Sequence, residues 1–155
     1  LGDVYKRQAW HAALAPRGVT VRVLKQCPRT GAVLVYVYRP ARVARLLADP
    51  RTLDFLAGEG YTPGTADDLL DQLAERLCCE GDFPHEIGVF LGYPLADVIG
   101  FIQNRGKNFT ACGYWKVYTD PTAAQAEFDR YKKCEHIYAR CYYNGTPIRR
   151  LTVAA

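Results

Sequence analysis

Two β-branched runs in the first quarter of the chain place the strongest constraint on its fold. Residues 19–24 largely alternate apolar and polar side chains, and residues 32–38 are apolar throughout. The Pro-Arg-Thr-Gly segment at 28–31 supplies a turn between them. The pattern therefore predicts a β-hairpin, and the all-apolar run predicts a central strand that is covered on both faces.

Much of the remaining chain has the apolar spacing and the start and stop residues that are typical of helices. Thr65 followed by Asp68 is a capping-box pattern, which predicts a helix from there to about residue 79. Asp120 and Pro121 mark the start of a longer helix. Its apolar residues recur every three or four positions and predict one buried stripe. That stripe consists of Ala124, Phe128, Tyr131, Cys134, Tyr138 and Cys141.

Together these segments predict an α+β protein. We expect a small, mainly antiparallel sheet of three to four strands, packed with about six helices. The expected strands are residues 19–26, 32–38 and 111–118, with an edge strand at 151–153. Hydrophobic residues make up 49% of the 155, enough for one domain with a packed core. No apolar run approaches the roughly 18 residues of a membrane span, which argues against a membrane protein.

The first eight residues look foreign to the rest of the chain. Residues 1–8 resemble a translated sequencing-adapter junction, and the chain contains no Met. We therefore expect a non-native segment at 1–8, a truncated N-terminus, and a single α+β domain over residues 9–155. The chain has 20 basic and 16 acidic side chains, a net charge of +4. This excess is too small to indicate nucleic-acid binding by itself.

His85 and Glu86 form the pair that most invites a chemical interpretation. The helix motif of zinc proteases needs a second His four residues after the first, and position 89 is Val, so that motif is excluded. What remains is a His expected in the first turn of a short helix. It is a candidate ligand-binding residue and a candidate general base, with Glu86 as its catalytic partner. The structural alternative is that both residues only stabilise the helix start.

Residues 84–105 have the spacing of a helix-turn-helix unit. Gly88, Gly92 and Val98 occupy its small, turn and β-branched positions. A DNA-reading helix must present polar and basic side chains to the groove. The positions expected to face outward are mostly apolar, and Asp97 lies among them. The pattern thus predicts a two-helix corner and disfavours binding to DNA.

The six cysteines are expected to be reduced thiols, because the sequence shows no secretion signal. Cys134 and Cys141 lie seven residues apart, hence on one helix face, and with Cys112 they are candidate metal ligands. Both helix cysteines also fall inside the apolar stripe, where a thiol packs as a small hydrophobe. The adjacent pair Cys78 and Cys79 is too close for a standard metal site.

Several separate segments, in the same order along the chain, resemble domain-of-unknown-function family 3793. The hallmarks are Pro84-His85-Glu86 and Leu91-Gly92-Tyr93-Pro94, and the Gly-Tyr-Trp-Lys-Val-Tyr segment at 113–118 agrees as well. The resemblance covers residues 9–153 and lacks the usual N-terminal segment of the family. It implies a cytoplasmic protein of anaerobic, often gut, bacteria. It implies no activity, cofactor or catalytic residue.

Three hypotheses for function follow. The first is a non-enzymatic accessory or binding protein of anaerobic bacteria, with a protein partner or small ligand, no nucleic acid and no membrane. Its candidate binding surface comprises His85, Glu86, Tyr93, Lys107, Trp115 and Lys116. The second is a small enzyme that uses His85 as general base. The third is a DNA-binding regulator that uses the corner at 84–105. No cofactor is assigned to any of them.

Overall fold

The structure is a computed structural model that describes residues 2–77 and 83–153. Within those residues it contains eight α-helices and two antiparallel sheets of two strands each. The predicted α+β class is therefore confirmed. None of the described helices is long and apolar enough to cross a membrane. The Cα positions separate into two compact units, with the division after Gly92, and each unit is described by itself.

The first unit begins with helix α1 (Gly2–Leu14) and a 3₁₀ turn (Ala15–Arg17). Strands β1 (Thr20–Gln26) and β2 (Val33–Tyr38) follow and pair with each other. Gly31 has a φ of +70° in the turn between them, a conformation that glycine adopts without a steric penalty. The predicted hairpin is confirmed.

Four helices complete the first unit: α2 (Pro40–Leu47), α3 (Pro50–Gly58), α4 (Ala66–Arg76) and α5 (Ile87–Phe90). The capping box predicted for α4 is present. The side chain of Thr65 accepts a hydrogen bond from the backbone N–H of Asp68, and the side chain of Asp68 accepts one from the backbone N–H of Thr65. The side chain of Arg22 on β1 bonds two carboxylates on α4, which ties the hairpin to this helix.

The prediction that residues 32–38 form a central strand covered on both faces is wrong. Tyr36 and Tyr38 are half-buried, with stacked rings whose centroids lie 4.5 Å apart. Val35 and Val37 point the other way, and Val37 is 58% exposed. Within the described residues β2 pairs only with β1. A two-stranded sheet with its helices packed along β1 leaves one side of the second strand open to solvent.

The second unit contains α6 (Leu95–Gln103), β3 (Ala111–Cys112), β4 (Lys116–Val117), α7 (Pro121–Tyr143) and α8 (Ile148–Leu151). The predicted single strand at 111–118 is wrong, because the chain reverses between β3 and β4 and these two strands pair with each other. They form a separate sheet rather than a third strand of the hairpin sheet. The edge strand predicted at 151–153 is also wrong, since Leu151 is the last residue of α8 and residues 152–153 form no strand.

The core of the second unit lies under the first half of α7. Val117, Ala124 and Phe128 are buried together, with Tyr114 and Trp115 packed against them. Asp120 caps α7 as predicted and accepts hydrogen bonds from the backbone N–H groups of two residues in the first turn, at 2.9 and 3.2 Å.

Asp97 connects α6 to the segment that leads into α7. This buried carboxylate accepts four hydrogen bonds of 2.8–3.1 Å. The donors are Trp115 Nε1, the backbone N–H of Tyr118, and both the backbone N–H and the hydroxyl of Thr119. Because a buried carboxylate is stable only when its oxygens are satisfied, these bonds fix the start of α7 relative to α6.

Gly113 is expected to be intolerant of any side chain. A Cβ at this position would overlap the ring of buried Phe128. We expect Gly113→Ala to lower the free energy of unfolding by about 1–3 kcal/mol, as measured by urea denaturation. Gly58→Ala is the control, because a Cβ there meets nothing within 4 Å. Equal stability of the two variants would contradict the close approach of Gly113 to Phe128.

Candidate functional site

His85 and Glu86 are adjacent in sequence and lie in opposite environments. His85 is exposed, whereas Glu86 is buried. The expectation that His85 lies in the first turn of a helix needs correction, because both residues form a turn before α5, which is only four residues long. Glu86 occupies the N-cap position but makes no side-chain capping bond. Its carboxylate points into the unit instead.

The carboxylate of Glu86 is held by two residues that sequence spacing does not connect to it. The hydroxyl of Tyr61 donates a hydrogen bond to Oε1 at 3.1 Å, and Arg76 Nη1 lies 3.5 Å from the same oxygen. The Arg76 guanidinium also stacks over the Tyr61 ring, 4.1 Å from its centroid. The arrangement fixes the turn that displays His85, and it gives Glu86 a structural role.

Two tyrosines in the first unit hold their protons more tightly than an ordinary tyrosine. Burial, with a smaller contribution from Tyr38, raises the pKa of Tyr36 to about 12, and the hydroxyl of Tyr36 donates to the Phe90 carbonyl. Burial and the neighbouring Glu86 carboxylate raise the pKa of Tyr61 well above its usual range. Both phenols therefore stay neutral hydrogen-bond donors at alkaline pH values at which an ordinary tyrosine ionises.

Trp115 and Tyr93 are brought together in the second unit, with ring centroids 5.4 Å apart. The Trp115 ring also meets Phe128 edge-on at 4.6 Å, and its Nε1 donates to Asp97 at 2.8 Å. The indole thus has two aromatic neighbours and a hydrogen-bond acceptor within the unit. Trp115 packs against the core of the unit, and both Trp115 and Tyr93 are half-buried.

Lys116 is likewise engaged within the second unit. Its Nζ donates to the Gly106 carbonyl at 2.7 Å and lies 4.9 Å from the centroid of the Phe109 ring. Lys107, by contrast, is exposed. Of the candidate ligand-binding residues, His85 and Lys107 therefore present their side chains to solvent, and they belong to different units.

The loop that carries Lys107 is strained. The C-terminus of α6 ends in a Schellman motif, in which the Arg105 N–H bonds the Ile102 carbonyl and the Gly106 N–H bonds the Phe101 carbonyl. The residue after the C-cap is normally Gly in this motif, but here it is Arg105, with a φ of +50°. A left-handed non-glycine residue costs on the order of 1 kcal/mol.

The candidate metal ligands do not converge on a site. Cys112 and Cys134 are exposed and Cys141 is half-buried. In the part of the chain that the structure describes, no three His, Cys, Asp or Glu side chains cluster as a metal site would need. Cys78 and Cys79 lie outside the described residues. The prediction that Cys134 is buried in the apolar stripe is wrong.

Helix α6 does not present a DNA-reading surface. Leu95 and Ile99, expected to face outward, are half-buried, and Asp97 is buried. The helix contains no basic residue between Leu95 and Gln103. The two helices predicted for the corner both form, on either side of Gly92, whose φ is +82°. They belong to different units, so each is described only within its own.

The sequence pattern identified the apolar side of α7 but missed that its second half is exposed. Tyr131, Tyr138 and Tyr142 continue the side of the helix that Ala124 and Phe128 bury, because steps of three, four and seven residues return to one side. We call these three residues the tyrosine face. Tyr131 is half-buried against the core, but Tyr138 is 43% and Tyr142 is 52% exposed. The stripe predicted to be buried therefore runs beyond the core.

The family of the chain is decided by a match over nearly its whole length. The family model described as "Protein of unknown function (DUF3793)" matches residues 3–152. The chain belongs to the DUF3793 family. The resemblance carried by the Pro-His-Glu and Leu-Gly-Tyr-Pro segments is thereby confirmed. No curated protein and no solved structure matches this DUF3793 protein.

The raised tyrosine pKa values predict a loss of stability in alkali. At about pH 11 the unfolded chain ionises Tyr36, with its ordinary pKa of 10.0, whereas the folded DUF3793 protein holds it neutral up to a pKa of about 12. Stability from this residue is thus complete below about pH 10 and falls as the pH rises toward 12. We expect Tyr36→Phe to flatten the decrease in urea midpoint between about pH 10 and pH 12. Tyr5→Phe at an exposed site is the control, and identical slopes would contradict the burial of Tyr36.

The strained loop gives a second prediction for the DUF3793 protein. Arg105→Gly should raise the free energy of unfolding by about 0.5–1 kcal/mol, because glycine removes the left-handed penalty. Lys107→Gly, in the same loop but without a positive φ, should be neutral or destabilising. Thermal denaturation monitored by circular dichroism measures both variants. A destabilised Arg105→Gly would mean that this side chain stabilises the fold through contacts that outweigh the strain.

Proposed function

We propose that this DUF3793 protein is a non-enzymatic accessory or binding protein of the bacterial cytoplasm, and that it binds a protein partner through the tyrosine face of α7. One observation carries the proposal. The aromatic stripe of the helix continues on the same side beyond the core of its unit, and there Tyr138 and Tyr142 are about half exposed. Exposed aromatic residues in register with a buried stripe are typical of interaction surfaces.

Energetics support the same conclusion. Helix α7 has 23 residues, a length of about 34 Å, and its buried residues lie in the first three turns. Propensity alone gives a helix little stability, and most comes from packing an apolar face. A helix that continues beyond its core with tyrosines on that face is stabilised further when a partner covers it. Tyrosine suits this role because its ring packs while its hydroxyl stays hydrated.

The cellular setting in the proposal has its own support. Cys112, Cys134 and Cys141 are thiols without a disulfide partner, and two of them are exposed. Exposed thiols persist in a reducing compartment such as the cytoplasm. The family resemblance points to anaerobic bacteria, which fits this chemistry.

The enzymatic alternative receives less support from the geometry. It assigned Glu86 as the partner of His85, and the Glu86 carboxylate is engaged by Tyr61 and Arg76 instead. A binding role makes no such demand on Glu86. In the proposal, exposed His85 and Lys107 remain candidate contact residues, whereas Trp115 and Lys116 contribute through the structure of the second unit.

The proposal is tested by photo-crosslinking inside a bacterium that carries a chromosomal member of the family. Benzoylphenylalanine replaces either Tyr142 on the tyrosine face or Tyr5 on α1, which is 70% exposed. We expect discrete adducts from position 142 and only diffuse background from position 5. Adding Tyr138→Ser to the position-142 chain should reduce the adducts at least about fivefold, because the side chain one turn away belongs to the same surface. Identical adduct patterns from the two positions would refute the proposal.

A further inference from the structure

The two outer edges of the hairpin in the first unit differ. On β1, the backbone N–H of Val21 donates to His11 Nδ1 at 3.3 Å, so a side chain of α1 occupies the outer edge of that strand. Val21 is paired with Val37 across the hairpin. Opposite residues of an antiparallel pair direct their N–H and C=O groups either toward each other or both away. The N–H and C=O of Val37 therefore point away from β1, to the outer edge of β2.

Every second residue of β2 has this orientation. The extra residue of the hairpin is on β1, so the alternation along β2 is uninterrupted. It agrees with the turn, where the N–H of Cys27 donates to the inward carbonyl of Ala32 at 2.8 Å. Val33, Val35 and Val37 thus present six backbone groups at the outer edge, three donors and three acceptors. Within the described residues these groups have no hydrogen-bond partner, and β2 pairs only with β1.

The edge of β2 has none of the usual protection. Proteins commonly guard such an edge with a charged side chain, a proline or a bulge. Residues 32–38 contain no charge and no proline, and the bulge is on the other strand. The side chains beside the edge are apolar and exposed: Leu34 by 40%, Val35 by 37% and Val37 by 58%. Unsatisfied backbone groups in an apolar setting form the surface to which a further β-strand adds.

We propose that β2 pairs with β2 of a second copy of the chain, antiparallel and about a two-fold axis at Val35, so that two hairpins form one four-stranded sheet. Val35 then lies opposite Val35 of the partner subunit, and Val33 lies opposite Val37 of the partner subunit. Each of the three resulting pairs exchanges two hydrogen bonds, which satisfies all six outward groups of each strand. The proposal concerns the first unit and is independent of the tyrosine face.

The side chains that this register brings together are compatible. Valine meets valine on one face of the sheet, and on the other Tyr36 lies opposite Leu34 of the partner subunit, which covers an exposed leucine. Residues 1–92 contain 11 basic and 11 acidic side chains, so the first unit has no net charge to oppose the association. Two strands alone make a marginal sheet, whereas four are a usual number.

A second copy fits this edge better than other occupants. A strand from another protein would need the same uncharged, β-branched character and the same register, and β2 itself supplies both. The two-fold arrangement is also closed, because His11 occupies the outer edge of β1. We therefore expect a dimer and no larger assembly.

Sedimentation equilibrium of the full chain under reducing conditions tests the proposal. We expect a monomer–dimer equilibrium with a Kd on the order of 10–100 µM, because the interface is small. Val35→Lys puts two lysines opposite each other at the two-fold axis and should weaken the dimer at least about tenfold. Val23→Lys is the matched control, because Val23 is the partner of Val35 on β1 and is 40% exposed. It should leave the Kd within about threefold.

Amide hydrogen exchange, followed by NMR on the unsubstituted chain with labelled valine and tyrosine, supplies a second measurement. The N–H groups of Val35 and Val37 should exchange at least about twofold more slowly at about 1 mM chain than at about 20 µM. The inward N–H of Tyr36 should show a smaller change.

Four results would overturn the proposal. These are a monomer at about 1 mM, a species larger than a dimer, equal weakening by the two lysine variants, and exchange at Val35 and Val37 that does not depend on concentration. Slow exchange at every concentration would show that the edge is covered within a single chain.

Discussion

The second unit depends on one buried carboxylate. Asp97 accepts hydrogen bonds from Trp115, Tyr118 and Thr119, which lie within the five residues before the capping residue of α7. Removing a buried carboxylate from water is unfavourable unless both of its oxygens find donors, so the segment has few other ways to fold. The direction in which α7 leaves the core, and hence what its far end presents to solvent, follows from this arrangement.

Glu86 plays a comparable part in the first unit. Its contacts with Tyr61 and Arg76 turn the acidic residue of the Pro-His-Glu segment inward and the preceding His85 outward. A short motif can thus look like a catalytic pair while its two members serve different purposes, one inside the fold and one at its surface. The same division separates Trp115 from Tyr138, since both are aromatic but only the tryptophan has its polar atom satisfied inside the unit.

Local signals in the sequence predicted the elements they belong to. The capping box of α4, the Asp120 cap of α7 and the turn of the first hairpin all depend on residues a few positions apart, and all are confirmed. The partners of Glu86 and Asp97 are 10 to 25 residues away along the chain, and no spacing rule connects them. The chain reversal between β3 and β4 at Gly113 was not predicted, because the aromatic and β-branched residues on both sides of Gly113 have the composition of one continuous strand. Helical periodicity identified which side of α7 is apolar, but it cannot show how far along that side the rest of the fold extends.

Helix α7 therefore consists of a packed first half and a solvent-exposed second half within one continuous helix. Phe128 is buried in the core of the unit, so we expect the backbone amides around it to open with that core, whereas side chains near Tyr142 are half exposed and fewer tertiary contacts oppose local opening there. The packed half holds its position and the solvated half can adjust its last turns to whatever lies against it. One helix can thus combine a rigidly packed half with a half that adjusts to a partner. Covering the exposed side would then stabilise the C-terminal turns of the helix.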